Sequence, residues 1–439
     1  MRVGGHRFWT PLRVVLGYLM VVLALGWLQK APCVLAPWQE GSQYVRMCYT
    51  DIVALYSARG FDVHTVPYVD GTFEYPVLIG AVAYLMAWLV PGWADPSAAS
   101  AWYFTLTSLL LVAMAAVTAW ALHELSGRRP WDAALFALAP VLALLAFINW
   151  DLLAVAAAAV GLLLWSVNRP AWAGVLLGLG VAAKLWPVLV LAALGLLCLR
   201  TARWRPFLLA LAGAAGAWLT VNVPVIVANP SGWAEFYALS RERVADWGTV
   251  WQLPQAVGGT VSDAVQPFLS EHVNLLAGVA TVLALCAVAA LVLLAPRRPR
   301  VGQVCLLLLA AFLLPGKVWS PQFALWVLPF AALARPTWRM LLIWQLGVTA
   351  YFVGIWTHLY DVATDSQRFS DLLYLCGTAA RTVALAALAA VVVRDILQPQ
   401  HDVVRAGGVD DPAGGPLSGA PDARWRARLR VSSGARGAD

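Results

Sequence analysis

The sequence predicts an all-α polytopic membrane protein, and three observations carry that prediction. Charged residues make up 12% of the 439 positions and hydrophobic ones 61%, against about 25% charged in an ordinary soluble domain. Mean hydropathy is +0.72. Long apolar runs recur from residue 14 to residue 393, and in lipid only helices or closed barrels satisfy the backbone polar groups of such runs. The net charge of +7 comes from Arg in short loops and in the tail, with Lys only at Lys30, Lys184 and Lys317. That distribution sets orientation in a membrane and leaves no footprint for nucleic acid.

The elements follow in order. Arg2, Arg7 and Arg13 precede the first run, 14–34, and "LQKAPC" supplies no convincing cleavage site, so this run reads as an uncleaved helix. Further runs lie at 76–93, 101–122, 133–148, 152–167, 171–183, 187–199, 207–228, 273–295, 301–315, 323–334, 340–357 and 372–393. Several fall short of the roughly 20 residues a straight span needs, which predicts local thinning or helix breaks that line a cavity.

Strict alternation puts Arg128/Arg129, Arg169, Arg200/Arg203/Arg205, Arg297/Arg298/Arg300 and Arg335/Arg339 on one side. The positive-inside bias makes that side cytoplasmic and places the N-terminal Arg cluster there too. Three runs then precede Arg128 where an even number is required. Run 76–93, bracketed by Pro76 and Pro91 and holding Gly80, is the one predicted not to cross. It is expected to be interfacial or re-entrant on the outer face, leaving about twelve transmembrane helices with both termini inside.

A transmembrane domain over 1–398 thus carries two large outer regions, a first loop at 35–100 and a second at 229–272. The second contains "SGWAEFYALSRERVADW", which reads as an amphipathic helix lying on the bilayer. Residues 399–439 are rich in Gly, Pro, Ala and Arg without periodicity, and are expected to form a disordered cytoplasmic tail whose "RWRARLR" can touch anionic lipid. No internal or inverted repeat is visible. The six Cys show neither CxxC nor metal-ligand spacing. Cys198, Cys286, Cys305 and Cys376 lie in apolar runs as packing residues; Cys33 and Cys48 fall on the outer side, where a disulfide can form but nothing requires one.

Polar groups beside the apolar runs converge on the outer face. Asp51 and Glu74 belong to the first outer loop, with Tyr75 next to Glu74. Asn149 and Asp151 lie in the turn "INWDLL", Lys184 and Trp186 in the break "AAKLWP", Trp251 and Gln252 in "WGTVWQLP", and Lys317, Ser320 and Gln322 in "PGKVWSPQF". Carboxylates there can act as a base, Lys can hold a phosphate, and Trp and Tyr can pack on sugar C–H faces while their polar edges stay wet. Each has a plainer reading. Asp51 can be a solvated loop acid, Glu74 and Asp151 can cap turns or helices, Lys184 and Lys317 can snorkel, and much of the Trp content can be interfacial belt. Arg381, near the middle of the last span, calls for a carboxylate partner or a cavity. Phosphate-binding Gly loops, GxSxG and HExxH are all missing, so a sugar donor would be lipid-linked rather than a sugar nucleotide.

At these residues the chain resembles the integral-membrane GT-C glycosyltransferases, and within them glycosyltransferase family 87, the polyprenol-phosphate-mannose-dependent enzymes of actinobacterial envelopes. The resemblance covers about residues 10 to 395 and rests on "YTDIVALY", "FEYPVL", "INWDLLAV", "AAKLWPVLVLA" and "WSPQFALWVLP" in the family's order and spacing. It implies a GT-C-like fold with outer-face juxtamembrane helices and makes Asp51 the catalytic base. It further implies inverting transfer of α-mannose from a polyprenyl-phosphate donor to an envelope glycolipid or glycan acceptor, outside the plasma membrane. The remaining polar residues named above would bind substrate. No metal site and no cofactor beyond the donor are implied, and the need for a divalent metal stays open. Some family members carry a His pair where Pro321 and Gln322 stand here, which leaves the acceptor open; His64, His272 and His358 are outer but match no motif. Two other readings remain: a transporter or flippase of lipid-linked sugars, which predicts repeats and mid-membrane polar groups, and a non-catalytic envelope scaffold.

Overall fold

A computed structural model describes residues 8–257 and 260–423. Helix α1 (Pro11–Val34) starts where Thr10 accepts a hydrogen bond from the Arg13 amide and Pro11 takes the first position. The first loop holds α2 (Ser42–Val45), α3 (Asp51–Ala58) and α4 (Val77–Trp88), and leads to α5 (Pro96–Ser126), capped by Asp95 through the amides of Ser97 and Ala98. The next stretch is broken into α6 (Ala134–Ala137) and α7 (Pro140–Leu145), beside α1. Then come α8 (Asp151–Ser166), α9 (Pro170–Ala183), α10 (Val188–Thr201), α11 (Trp204–Ala228), α12 (Pro230–Glu242), α13 (Thr260–Leu294), α14 (Val301–Leu313), α15 (Ala324–Ala334), α16 (Trp338–Thr364) and α17 (Asp371–Leu397). Among the described residues the β pairing is an isolated bridge between Pro67 and Gly71. The fold is all-α and polytopic, with six helices among the described residues long and apolar enough to cross a bilayer: α1, α5, α11, the Glu271–Leu294 part of α13, α16 and α17.

Helix α4 is short, about 18 Å by its residue count, and both its ends meet one loop. At its start the Tyr68 hydroxyl donates to the carbonyls of Tyr75 (2.7 Å) and Pro76 (2.9 Å). At its end Trp88 stacks on His64 at 4.1 Å. The 61–76 stretch of the first loop therefore runs alongside α4. The polar stretch after α11 forms α12, capped by Asn229, whose amide also donates to the Tyr68 carbonyl at 2.9 Å.

Small residues set the closest crossing. A Cβ on Gly174 of α9 would lie 1.9 Å from the Ala210 carbonyl oxygen of α11, and one on Gly178 would lie 2.3 Å from that of Ala214. The two backbones touch because neither glycine has a side chain. This contact fixes α9, whose last turn carries Lys184.

At the far end of the bundle the Arg clusters gather, and there the chain departs from expectation. Residues 399–423 are folded, not disordered. Their acids reach the interhelical arginines: Asp402 takes both Arg300 Nε (2.8 Å) and Nη2 (2.9 Å), Asp410 pairs with Arg297 and Asp422 with Arg200. Trp165 donates its indole N–H to the Gly414 carbonyl at 3.2 Å. Charge complementarity explains the order that the composition conceals: Asp402 and Asp422 each meet a buried Arg between helix ends. The "RWRARLR" stretch lies outside the described residues.

Candidate active site

The other end of the bundle carries the site, and helix ends build it. Thr50 caps α3 by accepting from the Ile52 amide, while its hydroxyl donates to the Phe147 carbonyl at 2.7 Å. The Asp51 amide donates to the Ile148 carbonyl at 2.8 Å. The first residue of α3 is thereby pinned to the turn that precedes α8. A disulfide joins Cys33 to Cys48, and Lys30 Nζ donates to the Tyr49 carbonyl at 3.0 Å, so the end of α1 clamps the chain just before Asp51.

Asp51 as a residue is partly exposed. The Tyr75 hydroxyl donates to its Oδ2, the Tyr49 hydroxyl is a second partner, and Asn149 Nδ2 donates to the Tyr75 oxygen at 3.2 Å. Burial pushes the Asp51 carboxyl up from its ordinary range, against the pull of those two hydroxyls and of the Lys184 charge. Burial likewise holds the Tyr75 phenol well above its usual value, so it remains a donor.

Lys184 ends α9 because Pro187 follows closely and the backbone turns extended at the Lys. Its Nζ lies 2.9 Å from Asp151 Oδ1, 4.3 Å from the Tyr75 ring centre and 5.9 Å from that of Phe323. Asp151 opens α8, its amide donating to Asn149 Oδ1 at 3.0 Å, and its Oδ2 accepts from Trp326 Nε1 at 3.0 Å. Trp326 stacks with Phe323 (3.7 Å) and with Trp186 (5.7 Å).

Asp51, Tyr75, Asn149, Asp151, Lys184 and Trp186, from separate stretches of chain, thus meet in one cluster. Gln322 is buried one residue before Phe323 at its rim. The others take part in different structures. Glu74 pairs with Arg59 at 2.8 Å. Lys317 donates to the carbonyls of Arg241 and Arg243, Trp251 to that of Pro315 (2.9 Å), and Gln252 to that of Ala245 (2.8 Å). Three of these four bonds tie the 241–257 loop to its neighbours and the fourth, from Gln252, closes it on itself; Ser320 contacts Asp246 in the same region. Arg381 is held there by the carbonyls of Trp319 (3.0 Å) and Gly248 (2.6 Å) and by the Tyr351 and Trp319 rings, not by a directly bonded carboxylate. Sequence reasoning missed Tyr49, Phe323 and Trp326 as members of the site. Phe323 and Trp326 sit three apart in "WSPQFALW", a spacing that puts both on one helical face. Among the described residues no group of three or more His, Cys, Asp or Glu is placed to hold a metal ion.

A model of glycosyltransferase family 87 matches residues 73–321, more than half of the chain. The chain belongs to glycosyltransferase family 87. Membership in family 87 makes the protein a glycosyltransferase and sets aside the transporter and scaffold readings. Solved structures similar to this family 87 chain include ArnT from Cupriavidus metallidurans bound to undecaprenyl phosphate, at 15% identity over 88% of this chain and 78% of that one, TM-score 0.44. Another is the apo oligosaccharyltransferase of Archaeoglobus fulgidus, at 12% identity over 89% of this chain, TM-score 0.39; the match spans 56% of that chain's length. No curated protein matches by sequence.

Proposed function

We propose that this family 87 enzyme transfers a sugar, an α-mannosyl unit, from a polyprenyl-phosphate donor to a hydroxyl of an envelope glycolipid or glycan, inverting the anomeric centre. One observation carries the reading: an acid residue that is partly exposed, Asp51, shares a cluster with a lysine whose side chain keeps 13% exposure, while the side chain of the second acid, Asp151, has none. A base must reach its proton, and only Asp51 is reachable.

In the transfer, the acceptor hydroxyl loses its proton to Asp51 and its oxygen forms a bond to the anomeric carbon. The bond from that carbon to the phosphate oxygen breaks, and polyprenyl phosphate departs with the electron pair. Its charge grows from one towards two as it leaves, and Lys184 is the cation on hand to meet it. The aromatic groups Tyr75, Trp186 and Trp326 give sugar and prenyl surfaces something to pack on.

The Arg clusters share the bundle end opposite Asp51, and the positive-inside bias assigns that end to the cytoplasm. The site then faces outward across a plasma membrane crossed by about twelve helices. Asp51→Asn is the test. In liposomes with labelled polyprenyl-phosphate mannose and envelope lipid extract, it should cost about 10²–10⁴ in transfer rate. Full transfer by the variant removes Asp51 from the mechanism.

A further inference from the structure

Asp151 is enclosed in a way that Asp51 is not. Its residue is 0% exposed, Lys184 Nζ occupies Oδ1 at 2.9 Å, and Trp326 Nε1 occupies Oδ2 at 3.0 Å. Its amide is taken by Asn149. An acid with both oxygens engaged and no accessible surface touches neither a sugar hydroxyl nor an acceptor. Its neighbour Lys184 does have accessible surface, and its ammonium lies beside Asp151 as an ion pair.

We propose that Asp151 and Trp326 are positioning residues: together they hold the Lys184 ammonium aimed at the phosphate that leaves with the polyprenyl chain. The inference rests on the lipid-phosphate donor reading given above. It divides the two acids by environment, Asp51 as the group that takes the proton and Asp151 as the fixed counter-charge of the cation.

The chemistry favours such an arrangement. The donor is a phosphodiester with one negative charge, and the departing monoester approaches two. A cation at the phosphate therefore gains more in the transition state than in the bound donor, which raises kcat rather than affinity alone. A lysine stem is flexible, and an ammonium that had to be ordered during the reaction would forfeit much of that gain. Asp151 anchors it beforehand. Trp326 in turn fixes Asp151, because its N–H satisfies the second oxygen and its ring is stacked with Phe323 and Trp186. The Tyr75 ring, 4.3 Å from Nζ, closes the other side and links the cation to the Asp51 hydrogen bond.

The test uses the full-length protein in detergent, with farnesyl phosphate as the charged probe and farnesol as its neutral control. Calorimetric titration should show Lys184→Ala weakening farnesyl phosphate most, and Asp151→Asn and Trp326→Phe each weakening it about tenfold, with farnesol unchanged. In transfer from labelled polyprenyl-phosphate mannose, kcat should fall more than KM rises, and Asp151→Glu should restore part of it. A thermal melt checks folding; if Asp151→Asn does not fold, Trp326→Phe, which keeps most of the ring volume, carries the test. A folded Asp151→Asn or Trp326→Phe with native phosphate affinity and native kcat overturns the positioning role alone. Wild-type protein that binds farnesyl phosphate no better than farnesol overturns the donor reading, and the positioning role with it.

Discussion

Asp51 faces two demands that pull against each other. A base must be ionised to accept a proton, yet burial favours the protonated form and raises its pKa. The hydroxyls of Tyr75 and Tyr49 and the charge of Lys184 offset part of that penalty. Activity needs the carboxylate, so the rate should fall as pH drops through a pKa above the ordinary Asp value of about 3.9. Tyr75→Phe removes a hydrogen bond that lowers this pKa; the acid limb of kcat/KM should therefore move to higher pH, and a limb that stays in place would exclude Tyr75 from tuning the base. The same shift has a stability side. An acid whose folded pKa is raised favours folding when protonated. That contribution is full below the unfolded pKa and is lost as pH rises through the folded pKa. At neutral pH the neutral isostere in Asp51→Asn should accordingly melt no lower than the wild type while transfer collapses.

Not all residues at this scale were legible. Asp51, Tyr75, Asn149 and Lys184 interrupt or border apolar runs, and that interruption marks them. Trp326 carries no such mark, because it sits inside "FALWVLP" like any buried ring. Lys317 misleads for the opposite reason. A lysine at the edge of an apolar run reads the same whether it meets a carboxylate, as Lys184 does, or closes a loop through backbone carbonyls.

At the scale of elements, the end of α1 controls where α3 begins. The Cys33–Cys48 bridge closes a loop with a sequence separation of 15, and Lys30 holds the Tyr49 carbonyl two residues before Asp51. In the chain-entropy account a loop of that length contributes about 3 kcal/mol. Reduction, or Cys48→Ser, should lower the melting temperature and depress transfer together; unchanged activity after verified reduction would show that the clamp does not position Asp51. From sequence the bridge was one option among two, since two Cys at one face do not specify that their Cα atoms come within the 5.6 Å seen here. The shortness of α4 was legible, because Pro76 and Pro91 bracket its run.

For the whole molecule, the folded 399–423 segment straps the bundle end away from the site. Arg300 is 2% exposed, and Asp402 and the carbonyls of Leu333 and Ala334 satisfy its guanidinium. Removing one partner of such a pair strands the other, a loss of about 3–5 kcal/mol. Asp402→Ala should therefore unfold at markedly lower temperature, whereas retained stability would show that the strap lies on the surface without holding it. Composition alone concealed this strap: Gly, Pro and Ala give no period, and the pairing of Asp402 with Arg300 spans a hundred residues. The bundle itself was plain from hydropathy, for apolar runs and Arg-bearing loops are what a bilayer demands.

The central claim is that Asp51 deprotonates an acceptor attacking a lipid-linked sugar. Single-turnover transfer of labelled mannose from polyprenyl phosphate, with wild-type and Asp51→Asn proteins matched for folding in the same liposomes, tests it most directly. Sugar moving onto envelope lipid with the wild type and at least about 10² slower with the variant is the expected result; equal transfer by both proteins contradicts it.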